Sequence, residues 1–137
     1  MTPEAPVALI TGATRGLGAA IAKELSSTHR IIVGGRSADS VMPALQAFPN
    51  ALPLIADLAD EEALATAFDR AMEVAGRLDV LVNNAGIGKK ATIDETDRVQ
   101  WRSVLETNLV AVADLTRMAL PFLRESFGTV VMTNSGA

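Results

Sequence analysis

Gly12, Gly16 and Gly18 punctuate the turn Gly12-Ala-Thr-Arg-Gly16-Leu-Gly18, which follows directly on the apolar run Val7-Ala-Leu-Ile10 and Thr11. A short continuous apolar run is the mark of a strand buried on both faces. After the turn the spacing becomes helical, with Leu17, Ile21 and Leu25 at intervals of four. A strand that feeds a helix through glycines gathers free backbone N–H groups and the positive end of the helix dipole at one spot. That spot suits a pyrophosphate, and the missing Cβ atoms let a ligand approach the backbone. Glycines also serve ordinary turns, so it is the strand-and-helix setting that makes Gly12, Thr14, Arg15, Gly16, Leu17 and Gly18 a dinucleotide-binding fingerprint.

Further polar residues follow each later apolar run. The second run ends Gly34-Gly35-Arg36-Ser37, where a fold of this kind faces the adenosine ribose. A carboxylate there would bind the ribose hydroxyls and repel a 2′-phosphate, whereas an arginine binds that phosphate through paired donors. Arg36 stands in the acid's place and Arg15 lies in the glycine loop, so NADP(H) is the expected cofactor; the alternative is a pair of solvated arginines. The third run ends Ala56-Asp57-Leu58. Asp57 either accepts from the adenine amino group, with Leu58 packed beside the ring, or is a helix-entry residue. The fourth ends Asn83-Asn84-Ala85-Gly86, whose small residues leave room for a ribose or flat ring and whose amides can tie loops together; a structural turn is the competing view. Asn108 shares a helical stripe with Leu105, Leu109 and Val112. An amide embedded among apolar side chains needs partners, either a core carbonyl or a water in a proton path. Ser135, in Thr133-Asn-Ser-Gly-Ala137, places a hydroxyl where a substrate would lie.

The elements that must position these residues alternate. Strands are expected at Val7–Ile10, Ile31–Val33, Leu52–Ile55, Val80–Val82 and Thr129–Met132. Pro53 sends the third to the sheet edge. Between them come a short helix carrying Val41, Leu45 and Phe48, and a helix capped by Asp60 and stopped by Gly76. A long helix is expected from near Thr96 to about Arg124, bent at Pro121. The pattern predicts an α/β doubly wound, Rossmann-like parallel sheet of order 3-2-1-4-5, with ligands outside the strands' carboxyl ends between the first and fourth. Residues 1–137 form one domain.

Composition narrows the function further. A net charge of −4 without a basic run argues against a nucleic-acid partner. No cysteine is present, which excludes disulfides, thiol chemistry and thiolate metal sites. His29, beside Arg30 at the end of the first helix, reads as a solvated terminus rather than a catalyst. No secretory signal or membrane span is visible, so a cytoplasmic location is expected.

These motifs resemble the short-chain dehydrogenase/reductase family along essentially the whole chain. Thr11 to Gly18 is similar to that family's T-G-x-x-x-G-x-G turn and Asn83 to Gly86 to its N-N-A-G segment; Asp57, Asn108 and Ser135 also fall at family positions. The resemblance implies that Asn84, Ala85 and Gly86 line the nicotinamide-side ribose, that Asn108 orders a proton-relay water and that Ser135 bonds the reacting oxygen. Arg15 and Arg36 resemble the NADP-preferring members. A carbonyl or alcohol substrate and a homo-oligomeric complete enzyme are further implications. One departure stands out: the family's tyrosine, followed four residues later by a lysine, is absent, and the 137 residues contain no tyrosine. Lys89 and Lys90 complete nothing without a phenol. The expectation is therefore the cofactor-binding part of an NADP-dependent oxidoreductase, cut after the fifth strand and inactive alone. A non-catalytic NADP(H)-binding module and a structural partner are the other readings.

Overall fold

Alternate residues of the first strand face opposite ways, and this decides the architecture. In the computed structural model, which describes residues 4–88 and 90–135, strand β1 (Val7–Ile10) is withdrawn from water on both sides. Val7 and Leu9 join a core beneath two helices, α3 (Glu61–Ala75) and α5 (Ala111–Ser126), where Leu64, Phe68, Leu115 and Leu123 meet them. Ala8 and Ile10 enter a second core with Ala22 of α1 (Gly16–Leu25) and Val41 of α2 (Ala38–Leu45). Each fully buried leucine or isoleucine contributes about 1.5–3 kcal/mol, so helices on both faces are required.

Strands β2 (Arg30–Gly35), β3 (Leu52–Ile55), β4 (Val80–Asn83) and β5 (Thr129–Met132) complete a five-stranded parallel sheet of order β3-β2-β1-β4-β5. The expected order is found, with β3 and its Pro53 at an edge. β1 pairs with β2 on one side and β4 on the other, Ile10 standing opposite both Val33 and Val82. The chain thus leaves β1 in opposite directions along the sheet, which opens a crevice beyond its carboxyl end.

Caps fall where the chemistry predicts. Asp60 accepts from the Ala63 N–H at 3.0 Å to start α3, and Gly76 ends it at φ +72°. At the amino-terminal ends of β1 and β4 Asp79, 14% exposed, accepts from the Val7 N–H at 2.8 Å and from Arg77 through two bonds of 2.7 and 2.9 Å. Burial pushes its pKa up, but the Arg77 hydrogen bonds, the Val7 N–H and the Arg77 charge outweigh that and hold the carboxyl below its ordinary value.

The long helix differs from the expectation in two respects. It begins near Thr96, as expected: Asp97 caps α4 (Arg98–Leu105) through a reciprocal pair with Gln100. A π turn at Glu106–Val110 divides it, and Pro121 lies inside α5 without ending it. The Leu105, Asn108, Leu109 stripe faces solvent, Leu109 being 61% exposed; the buried stripe is Thr107, Ala111, Leu115, Ala119 and Leu123. Similarly Leu17 is 60% exposed, and Gly18 and Ala22 carry the inner face of α1. Small residues win there because the helix lies close against the strand and loop, as Gly18 shows below.

Candidate active site

The first turn of α1 is open to a ligand. Its N-cap, Arg15, makes no side-chain capping bond, and no acidic residue occupies the turn, so the leading N–H groups are left for something else. Gly16 sits at φ +56° with open space where a Cβ would project. Gly18 is different: a Cβ would overlap the Gly12 carbonyl oxygen and come within 2.6 Å of Asn84 Nδ2. One glycine therefore opens the loop to a ligand, while the other lets α1 pack against it.

Thr11 holds the floor. Its side chain is 3% exposed, and its hydroxyl oxygen accepts from the Asn84 and Ala85 N–H groups, each at 2.9 Å. Asn84 in turn donates from Nδ2 to the Thr11 and Gly12 carbonyls at 3.3 Å and accepts from Thr133 at 3.1 Å. The ends of β1, β4 and β5 are thereby tied with no net charge. Sequence reasoning placed Thr11 only in the glycine motif; a hydroxyl closing a buried apolar run was the signal of its structural role.

Above this floor lies a cleft of about 530 Å³. Gly12, Thr14, Arg15, Gly16, Arg36, Asp57, Leu58, Asn84, Ala85 and Gly86 all line it, so most of the expected cofactor residues are brought together. Leu17, Gly18 and Ser37 do not line it. Ser37 Oγ instead lies 3.1 Å from Ser40 Oγ, and Ser40 is the serine on the cleft wall. Ala59, Ile87, Ser103 and Thr107 were not anticipated there. Ser103 and Thr107 come from α4 and the π turn, which only tertiary folding carries over the cleft. Arg36 donates to Asp57 at 3.4 Å, and Asp57 also accepts from the Ala59 N–H at 3.0 Å, so Asp57 shapes the entry to α3 although Asp60 is its cap.

Asn108 is exposed and does not line the cleft. Its amide makes a reciprocal pair with the Ile87 backbone, accepting from the N–H at 2.8 Å and donating to the carbonyl at 2.7 Å. The π turn widens the helix at this point, and the amide braces the end of the Asn84–Ile87 loop. Ser135 follows β5 and likewise is not among the cleft-lining residues; Lys89, Gly136 and Ala137 lie outside the described residues. Among the described residues no helix is long and apolar enough to cross a membrane.

The sequence profile of the short chain dehydrogenases matches residues 6–137. This chain belongs to the short-chain dehydrogenase family. It is 39% identical over 128 residues to the short-chain dehydrogenase anuI of Penicillium roqueforti, covering 88% of this chain and 51% of that protein. It is 31% identical over 132 residues to the 3-oxoacyl-[acyl-carrier-protein] reductase FabG of Haemophilus influenzae, covering 94% and 54%. The chain thus spans about half the length of the curated relatives it matches. Among solved structures, a short-chain dehydrogenase from Burkholderia cenocepacia in complex with NADP superposes with a TM-score of 0.88 at 34% identity, covering 96% of this chain and 56% of that one. L-sorbose reductase from Gluconobacter frateurii, complexed with NADPH and L-sorbose, gives 0.88 at 28% identity, covering 93% and 51%. The family is one of oxidoreductases, and a nicotinamide cofactor fits the uncapped helix turn and glycine-lined cleft of this chain.

Proposed function

We propose that this chain is the cofactor-binding part of an NADP-dependent oxidoreductase that moves a hydride between the nicotinamide and a carbonyl or alcohol. The observation that carries the reading is that Arg15 and Arg36 line the same cleft as the uncapped first turn of α1. The helix terminus receives the pyrophosphate, and the two guanidinium groups receive the 2′-phosphate through charge-assisted bonds. The cofactor, when bound, supplies or accepts the hydride. Asn84, Ala85 and Gly86 border the nicotinamide-side ribose, and Leu58 packs beside the adenine. Asn108 is a positioning residue that keeps the Ile87 end of that loop in place and orders a relay water. Ser135 bonds the reacting oxygen. The complete protein acts in the cytoplasm, and it does so as a homo-oligomer; the exposed apolar side chains of Leu105, Leu109 and Val110 support the association.

The 137 residues hold no tyrosine, so the family's phenolic proton donor is not among them. The alternative is a domain that binds NADP(H) without chemistry; turnover assays on the full-length protein separate the two. The cofactor reading is tested by titrating NADP and NAD against wild type and Arg36→Ala. Loss of a charge-assisted bond to phosphate costs about 1.5–3 kcal/mol, so Arg36→Ala weakens NADP by roughly tenfold to a hundredfold and leaves NAD nearly unchanged. Equal wild-type affinities for the two cofactors sink the assignment.

A further inference from the structure

Two oppositely charged side chains meet on the wall of the cleft. β2 and β3 run parallel with Gly35 opposite Ile55, and the Ala56 N–H donates to the Gly35 carbonyl at 3.1 Å, so the residues just beyond the two strands emerge side by side. Those residues are Arg36 and Asp57, joined at 3.4 Å across the cleft wall. The partners are not equally free. Asp57 is anchored, because its other carboxylate oxygen accepts from the Ala59 N–H at 3.0 Å and its carbonyl accepts from the Asp60 N–H at 3.0 Å. The Arg36 side chain is 75% exposed against 49% for Asp57, and its only hydrogen bond among the described residues is the one to Asp57.

The geometry points to Asp57 as a specificity-determining residue that competes with the cofactor's 2′-phosphate for Arg36 and so sets the ratio of NADP to NAD affinity. The inference rests on the reading of Arg36 given above. A cofactor carrying the 2′-phosphate takes the guanidinium from Asp57 and leaves a fixed carboxylate beside a dianionic group. A cofactor with a neutral 2′-hydroxyl leaves the Arg36–Asp57 pair intact and meets no such penalty. Asp57 thereby holds the preference for NADP below the level that Arg15 and Arg36 alone would set. It also neutralises Arg36 in the free protein, which weakens long-range attraction of anions other than the intended one.

Asp57→Asn removes the charge and keeps an oxygen able to accept from Ala59, so the turn into α3 survives. Calorimetric titration of NADP and NAD into the full-length protein should show NADP tightened by about threefold to tenfold, NAD changed less than about twofold, and the gain reduced at high salt. In an Arg36→Ala background the same substitution should tighten NADP less, because no guanidinium remains to be released. An Asp57→Asn protein that loses affinity for both cofactors alike overturns the proposal and makes Asp57 a common adenine-side or structural group. A gain of equal size with and without Arg36 overturns it too, since Asp57 then acts by repulsion alone. If Arg36→Ala leaves the NADP to NAD ratio untouched, the underlying cofactor reading fails; if that ratio falls while Asp57→Asn changes nothing, only the competition fails.

Discussion

Replacing Thr11 by valine tests whether the floor of the cleft is held by one hydroxyl. Valine keeps the branched shape but removes the oxygen that accepts from the Asn84 and Ala85 N–H groups at 2.9 Å. The position is 3% exposed, so water cannot replace the lost acceptor from the Thr11 side. Stranding one buried donor costs about 1–3 kcal/mol. Asn84 and Ala85 are only half-buried, which discounts the second donor, and the added methyl returns some apolar burial. The net expectation is a loss of about 2–3 kcal/mol. Because the same two N–H groups fix the Asn84–Gly86 border of the cleft, NADPH affinity should fall by about tenfold, or 1.4 kcal/mol. Thr11→Ser keeps the oxygen and gives up one methyl, so it should cost about 1 kcal/mol and spare cofactor binding. Urea unfolding followed by circular dichroism gives the first quantity, and NADPH fluorescence titration gives the second. A valine variant within about 0.5 kcal/mol of wild type, or a serine variant as damaged as valine, would refute the reasoning.

The acid limb of stability should depend on Asp79, whose carboxyl is held below its ordinary value by Arg77 and the Val7 N–H against the opposing effect of burial. A carboxyl depressed in the folded state stabilises fully above its unfolded pKa, about 3.9, and loses that contribution as pH falls through the folded value. Asp79→Asn should therefore cost about 2 kcal/mol at pH 7, with the gap to wild type closing in melts below about pH 4; a gap independent of pH contradicts the assignment. Ser135→Ala in the full-length protein should lower kcat about 100-fold while leaving NADP affinity close to normal, as expected for a donor whose bond strengthens with charge on the reacting oxygen. Near-normal kcat would leave Ser135 structural.

Local sequence carried the architecture because strand burial and helix caps are written within a few residues of each other. The apolar run at Val7–Ile10, the Asp60 cap and the Gly76 stop read correctly, and Pro53 identified the edge strand. The glycine turn was legible as a turn too, since a backbone needing φ +56° at Gly16 has few residues to choose from. What the sequence could not say was which partner each polar side chain takes. The Asn108 stripe has helical spacing either way, but a π turn and the neighbouring loop give its amide to the Ile87 backbone and leave Leu105 and Leu109 in solvent. Leu17 stays exposed while Ile21 and Leu25 of the same stripe pack against the core, because the close approach of α1 to Gly12 selects Gly18 and Ala22 for its inner face. Thr11 meets Asn84 and Ala85, and Arg36 meets Asp57, across wide gaps in the chain. Periodicity reports which way a residue points along its own element; contacts between strand ends arise only once the sheet sets their register.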